Sequence, residues 1–251
     1  SGWMPHDASM TTALALRLDE ELVILDAGSG LCHLLRNPYR RLIPPAGQAI
    51  HVYLTHLHLD HLIGLTFLPG LWSNPTVVHV PVDEAGGTGP ETLDHLLGGP
   101  FFPVAFERLL PVISREAVRP GEWPAGDLRM RARRQEHPAG SLGYRVGDLL
   151  AFMTDCVHDD TAVDLARGVR ILVHEAWSSE ADDPGAVRAR AGGHSSAEQA
   201  ARVASEAGVG ELLLSHLPPA DATHHAEMLR RAQTIFPRTA LCFDGLTRQL
   251  D

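Results

Sequence analysis

The 251 residues predict an α/β fold of sheets packed face to face with helices outside them. Three observations carry that prediction. Short apolar runs recur along the chain, too brief for helices and bounded by Gly, Pro and Asp, as strands are. A few helical patterns fall between them, and strands mixed with outer helices are how such layers close a core. The polar residues of interest gather just past strand ends, where α/β proteins usually keep their sites.

In chain order, Leu14 to Leu18 and Leu22 to Asp26 read as two strands joined at Asp19-Glu20-Glu21. The second is nearly all apolar, as expected of a strand covered on both faces. It runs into the turn signal Asp26-Ala27-Gly28-Ser29-Gly30. Ile50 to Thr55 is a strand, Leu59 to Leu68 a short apolar helix closed by Pro69-Gly70, and Thr76 to Val82 a strand. The stretch 83–106 is rich in Gly and Pro, with one helical pattern from Glu91 to Leu97, and reads as a loop or lid over the site. Leu128 to Gln135, Leu142 to Val146, Leu149 to Thr154, Val169 to His174, Glu211 to Ser215 and Thr239 to Phe243 are strands. Ser195 to Ala207 and Thr223 to Phe236 are helices. Ser195 with Glu198 makes a capping-box pattern, and Gly208 stands at the stop. No repeat or change of composition divides the chain, so residues 1–251 are expected to form a single domain.

Composition narrows the classes. The hydrophobic share, 44%, supports a sizeable core, and no run approaches the length of a membrane helix. The opening residues lack the basic and apolar regions of a secretory signal. Cys32, Cys156 and Cys242 are few, odd in number and far apart, as expected of free thiols in a reducing cytoplasm. A net charge of −10 argues against long nucleic acid as the partner, because its readers usually present a basic face. A small-molecule substrate is expected instead, with no membrane, and a homodimer is allowed for.

The 15 histidines are the unusual feature. His56 and His58 are two apart after an apolar strand, so in extended chain both imidazoles reach one side. Asp60 and His61 follow as the chain turns. Four ligand-type side chains within six residues point to bound metal. His137, Asp155 and His216 each follow a predicted strand and are the candidates for completing a two-metal site, with a carboxylate such as Asp155 suited to bridging.

Thr55-His56-Leu57-His58-Leu59-Asp60-His61, with His137, Asp155, His216 and the opening Asp26-Ala27-Gly28, resembles the metallo-β-lactamase superfamily. His137-Pro138-Ala139-Gly140-Ser141, Thr154-Asp155, His174-Glu175-Ala176 and Gly193-His194-Ser195-Ser196 are similar to its ribonuclease Z and phosphodiesterase branch. Pro100-Phe101-Phe102-Pro103-Val104 adds a likeness to phosphoribosyl cyclic phosphodiesterases. The resemblance implies an αββα four-layer sandwich. It assigns His56, His58 and His137 to a first metal, Asp60, His61 and His216 to a second, and Asp155 to both. Two Zn²⁺ are implied, with Mn²⁺ or Fe²⁺ as substitutes. Only seventeen residues separate His137 from Asp155, so the arm with which ribonuclease Z grips transfer RNA is missing from that position.

The expected activity is hydrolysis of a small phosphodiester, a cyclic one among the candidates, by hydroxide formed on the metal pair. Asp60 also orients the hydroxide in this reading. The resemblance makes His194 the proton donor to the leaving oxygen. Glu175, at a strand end, is placed to hydrogen-bond a catalytic or ligand imidazole, and Asp26 to orient the metal loop. The alternative is a carboxylic ester, lactone or thioester as substrate on the same centre. A protein that holds the metals without catalysis is the reading from a different class.

Overall fold

The computed structural model describes residues 9–250 apart from 19, 37, 72–73, 83–88, 99, 101–107, 109–112 and 181–182. The chain divides into two compact units. One is Thr11–Arg119; the other runs from Pro120 onward and includes Met10, whose backbone N–H donates to Asp244 Oδ2 at 2.8 Å.

The first unit is built on a five-stranded sheet of β1 (Leu14–Leu18), β2 (Glu21–Leu25), β3 (Ile50–Tyr53), β4 (Thr76–Pro81) and β5 (Ile113–Val118), in that spatial order. β1 and β2 form a hairpin that pairs Leu14 with Leu25; the remaining pairs are parallel. Alternate residues Leu22, Ile24, Ile50, Val52, Val78 and Val80 share one face, as the two-residue period of a strand requires. They bury against Leu31, Leu34, Leu62, Leu65, Leu93 and Leu97, which lie in or directly after short 3₁₀ segments and α1 (Thr92–Leu96). Each fully covered Leu or Ile adds about 1.5–3 kcal/mol to that core.

The segment expected as an α-helix from Leu59 is instead two 3₁₀ turns, Leu59–His61 and Ile63–Leu71. Gly64 explains the difference. Its N–H donates to Ala27 O at 2.7 Å rather than to a carbonyl four residues back, and a Cβ there would lie 2.1 Å from Gly28 O. The chain is wound tightly onto the Asp26 turn, and only glycine allows that approach. Of the stretch read as a lid, 89–98 and 100 are described and contain α1; the rest, with Phe101 and Phe102, lies outside the described residues.

The second unit carries a seven-stranded sheet. Its strands are β6 (Gly121–Ala125), β7 (Leu128–Gln135), β8 (Ser141–Val146), β9 (Leu150–Met153), β10 (Ile171–Glu175), β11 (Glu211–Ser215) and β12 (Thr239–Leu241), ordered β12-β11-β10-β9-β8-β7-β6. β6 to β9 form an antiparallel meander, and β9 to β12 are parallel. Helices α2 (Asp160–Ala166), α3 (Asp183–Ala191), α4 (Ala197–Ala207) and α5 (Ala222–Ile235) make the crossovers. α4 presents Ala197, Ala200, Ala201 and Ala204 to Leu172, Leu212, Leu214 and Met228, so small side chains let it lie close over the parallel strands. Every residue of β10 is buried, as in a strand covered on both faces.

The capping box of α4 is one residue later than expected. Ser196 accepts from the Gln199 N–H at 3.1 Å, and Gln199 Oε1 accepts from the Ser196 N–H at 2.8 Å. Ser195 is committed elsewhere, donating to Cys156 O at 2.6 Å, and Glu198 accepts from Ser179 Oγ and the Glu180 N–H. The three cysteines are free thiols, and among the described residues no helix is long and apolar enough to cross a membrane.

Candidate metal centre

In the first unit the ligand-type residues follow β3. Thr55 and His56 are buried, the turn Leu59–His61 brings Asp60 and His61 round, and the His61 N–H closes it by donating to His58 O at 3.0 Å. Asp26 organises this loop. It is fully buried and sits at φ 58, a left-handed backbone that non-glycine residues adopt at some cost and that concentrates at functional positions. Its Oδ1 accepts the Thr55 N–H at 2.7 Å. Its Oδ2 accepts the Thr55 hydroxyl at 3.0 Å and His61 Nδ1 at 2.7 Å.

A carboxylate oxygen can only accept, so the His61 proton is on Nδ1 and its Nε2 carries the lone pair, 3.3 Å from Asp60 Oδ2. The Thr55 hydroxyl, having donated to Asp26, accepts from His56 Nδ1 at 3.0 Å. That turns His56 Nε2 toward His58 Nδ1, 2.8 Å away. Two imidazole nitrogens face each other there with one proton to share, which is the donor arrangement a soft or borderline cation accepts.

In the second unit Asp155 and His216 occupy equivalent positions, just past β9 and β11, with φ 51 and φ 47. With Asp26 they complete the three described non-glycine residues at positive φ. The Thr154 carbonyl is gripped by Gln135 Nε2 at 2.9 Å and Ser141 Oγ at 3.2 Å, which fixes the start of the Asp155 turn. Asp155 Oδ2 accepts the Thr154 hydroxyl at 2.7 Å and lies 3.3 Å from His216 Nε2. Ligand atoms of Asp155, His194 and His216 all lie within 4.8 Å of one another.

His137 follows β7 by two residues, and its Nδ1 donates to Gly193 O at 3.1 Å, leaving Nε2 as the basic nitrogen. Gly193 permits this contact. It sits at φ 85, and a Cβ there would meet Pro138 Cδ at 2.4 Å and His137 Nδ1 at 2.7 Å.

Glu175, at the end of β10, is fully buried and uses both oxygens. Oε1 accepts the Cys156 N–H at 2.5 Å, and Oε2 accepts His194 Nδ1 at 2.8 Å and lies 3.7 Å from His216 Nδ1. Burial opposes its ionisation, but the hydrogen bond from His194, with the His216 ring close by, outweighs that and holds the carboxyl below its ordinary range. Burial likewise opposes charge on His194, yet the hydrogen bond to Glu175 and its negative charge, with Asp155 adding to it, raise the imidazole above its usual value.

Trp177, which the sequence reading passed over, stacks on His194 at 5.0 Å between centroids and lies 5.2 Å from the His216 ring. It stands two residues beyond Glu175 at the same strand end, and that spacing was the available signal. Cys156 is in the core cluster, where burial pushes its thiol well up. Arg145 is structural, its guanidinium held by the carbonyls of Gly147, Leu165 and Arg167 and by Asp148.

With the geometry in hand, comparison places the chain. Residues 22–217 match the family model described as a β-lactamase superfamily domain. A ribonuclease Z from Synechococcus sp. (strain WH7803) is 29% identical over 318 residues, covering 98% of this chain and 93% of that protein. The metallo-β-lactamase fold protein YhfI from Bacillus subtilis superposes with a TM-score of 0.75 at 21% identity, covering 98% and 93% of the two chains. The short form of human tRNase Z gives 0.66 at 21% identity, covering 96% and 93%.

One expectation is overturned. Long nucleic acid had been set aside on the net charge of −10 and the missing arm, but relatives matched nearly end to end are ribonuclease Z proteins. Net charge sums over the whole surface, whereas a polyanion responds to the local field, so the sum is no guide to the substrate. The histidine and aspartate clusters point to metal ions as this family's members hold them. The chain belongs to the metallo-β-lactamase superfamily, in its ribonuclease Z-like branch, and is a metal-dependent hydrolase.

Proposed function

We propose that this hydrolase cleaves phosphodiesters of RNA on two metal ions held by His56, His58, Asp60, His61, His137, Asp155 and His216, with His194 as proton donor. The observation that carries the reading is the commitment of the imidazole nitrogens. His61 and His137 each spend Nδ1 on a fixed acceptor, Asp26 and Gly193 O, and so keep Nε2 as a lone pair. Metal-binding histidines are held in this way, one ring nitrogen fixed on an acceptor and the other left for the ion, and the mixed nitrogen and carboxylate donors suit zinc, with manganese or iron(II) as substitutes. Within this reading His56, His58 and His137 serve one ion, Asp60, His61 and His216 the other, and Asp155 both.

Bound zinc supplies an acidified water and a Lewis acid for the phosphoryl oxygens. The rest falls to the chain. Asp60 accepts a hydrogen bond from the attacking water and aligns it. His194, made more basic by Glu175, gives the proton from its other ring nitrogen to the leaving oxygen. Glu175 fixes the ring while it does so, and Trp177 backs it from one face.

A small phosphodiester is the second reading. It is favoured by the short connections 136–140 and 147–149 between β7, β8 and β9, where no arm is inserted. The experiment sets a tRNA precursor and bis-p-nitrophenyl phosphate beside an acyl lactone and a thioester, with wild type and His194→Ala. Turnover of the phosphodiesters alone, lost in His194→Ala while metal content is kept, is the expected result. Turnover of the lactone or thioester alone refutes the phosphodiester reading, and full activity in His194→Ala refutes its role.

A further inference from the structure

Between Asp26 and Asp60 the chain runs 33 residues without an acidic side chain, although it has 31 Asp and Glu in all. That stretch carries Arg36, Arg40 and Arg41. Arg36 ends the 3₁₀ segment Ser29–Leu35, and Arg40 and Arg41 lie in the next, Tyr39–Leu42. The Arg40 N–H donates to Arg36 O at 2.9 Å, which ties the two segments together and groups the three side chains. All three are exposed, and none makes an ion pair among the described residues. Several arginines of the second unit sit against carboxylates instead. Arg131 pairs with Asp164, Arg133 with Asp159, Arg145 with Asp148, Arg230 with Glu227 and Arg248 with Glu211. Arg17, whose Nη1 donates to Leu42 O at 3.5 Å, adds a fourth positive charge beside the group.

We infer that Arg36, Arg40 and Arg41 are a docking surface for the phosphate backbone of RNA, an inference that rests on RNA being the substrate. Placement supports it. The first 3₁₀ segment starts at Ser29, directly after the Asp26 turn that holds the metal loop. Its seven residues, at about 2 Å of rise each, set Arg36 about 14 Å from that turn. With one phosphate per about 3.4 Å of each strand, this is about four nucleotides along a duplex. An RNA with its cleaved bond at the metal loop lays flanking phosphates over the three guanidiniums, whose planar forks suit them. The half-buried Tyr39, edge-on to His33 at 5.9 Å, stiffens the ground between them. In a chain of net charge −10 a local basic surface also orients the polyanion, which the protein as a whole repels.

The test is the full-length R36A/R40A/R41A protein, metal-loaded, beside wild type. Binding of a fluorescein-labelled tRNA is followed by anisotropy from 50 to 200 mM salt, and hydrolysis of bis-p-nitrophenyl phosphate, too short to reach the patch, in parallel. Three lost phosphate contacts lower the log–log salt slope by about two to three, so across that fourfold rise wild type loses about 16- to 40-fold more affinity than the variant. R36K/R40K/R41K recovers most of the slope. An unchanged slope overturns the proposal. So does an equal loss of small-substrate hydrolysis, which would make the patch a support of the fold. Poly-glutamate binding lost in the variant while tRNA binding stays intact overturns it in favour of an acidic protein. A wild type that binds tRNA with the predicted slope change yet cleaves no phosphodiester leaves the surface standing and removes the proposed activity.

Discussion

Replacing Asp26 by Asn isolates the chemistry of one buried carboxylate. Asn tolerates left-handed backbone, so the φ of 58 is kept and the side chain is nearly isosteric. The amide has one accepting oxygen where the carboxylate has two. If that oxygen keeps the Thr55 N–H, the NH₂ group takes the place of Oδ2 and faces the Thr55 hydroxyl and His61 Nδ1. The hydroxyl can rotate to accept. His61 Nδ1 can accept only by losing its proton to Nε2, the nitrogen assigned to the metal. The variant therefore binds metal through the wrong tautomer or breaks the contact. Losses of this kind weaken metal binding about 10–100-fold, which is about 1.4–2.8 kcal/mol at 1.4 kcal/mol per tenfold. Chelator competition with zinc measures the affinity, and urea unfolding of the metal-free protein shows separately what the fold has lost. Zinc affinity within twofold of wild type, in a variant whose metal-free stability is unchanged, would refute the tautomer argument.

Glu175→Gln removes the charge-assisted hydrogen bond to His194. Such bonds contribute about 1.5–3 kcal/mol, so kcat/KM on bis-p-nitrophenyl phosphate should fall about 10–150-fold with metal content intact; a loss under threefold contradicts the role given to Glu175. Asp159 caps α2 through the Ala162 N–H at 2.9 Å, and although burial opposes its ionisation, Thr161 and Arg133 hold its pKa below the ordinary value. A folded-state pKa below the unfolded one gives stability that is present above the unfolded value, near 3.9, and lost as pH falls through the folded one. Asp159→Ala should thus cost about 1 kcal/mol in urea unfolding at pH 7 and progressively less below about pH 4; a deficit that stays constant with pH counts against the assignment. Ser196→Ala should cost α4 about 1 kcal/mol by removing its cap, without changing metal content. Stripping metal with a chelator should lower the unfolding midpoint, by about 2.7 kcal/mol of stability where free metal stood at a hundredfold its Kd; no shift on thermal unfolding argues against occupied sites in the native protein.

How much of this was legible beforehand depended on the kind of signal. The strands β2, β3, β10 and β11 announce themselves as apolar runs because both of their faces are covered, and burial demands apolar residues whatever the neighbours. The loop from His56 to His61 was readable because its ligand-type residues are local in sequence, and His137, Asp155 and His216 because each lies within two residues of a strand end. β5 and β6 were missed. Their exposed Arg, Glu and Pro break the alternation, which an edge with one open face allows. The 3₁₀ winding after Leu59 was beyond sequence too, since it follows from the approach of Gly64 to the Ala27 and Gly28 carbonyls, a contact between segments over thirty residues apart. The serine that caps α4 was settled by competition, Ser195 being drawn to Cys156 O.

The sequence by itself determined which family the chain belongs to and which side chains are the candidates for holding metal, because donor chemistry and strand-end spacing are properties of residue type and order. Tertiary structure alone decided the state of those side chains. The proton on Nδ1 of His61 and of His137, the raised basicity of His194 and the left-handed turns at Asp26, Asp155 and His216 depend on partners distant in the chain. A hydrogen bond is a matter of a few ångströms in space, and linear order carries no record of it until the chain has folded.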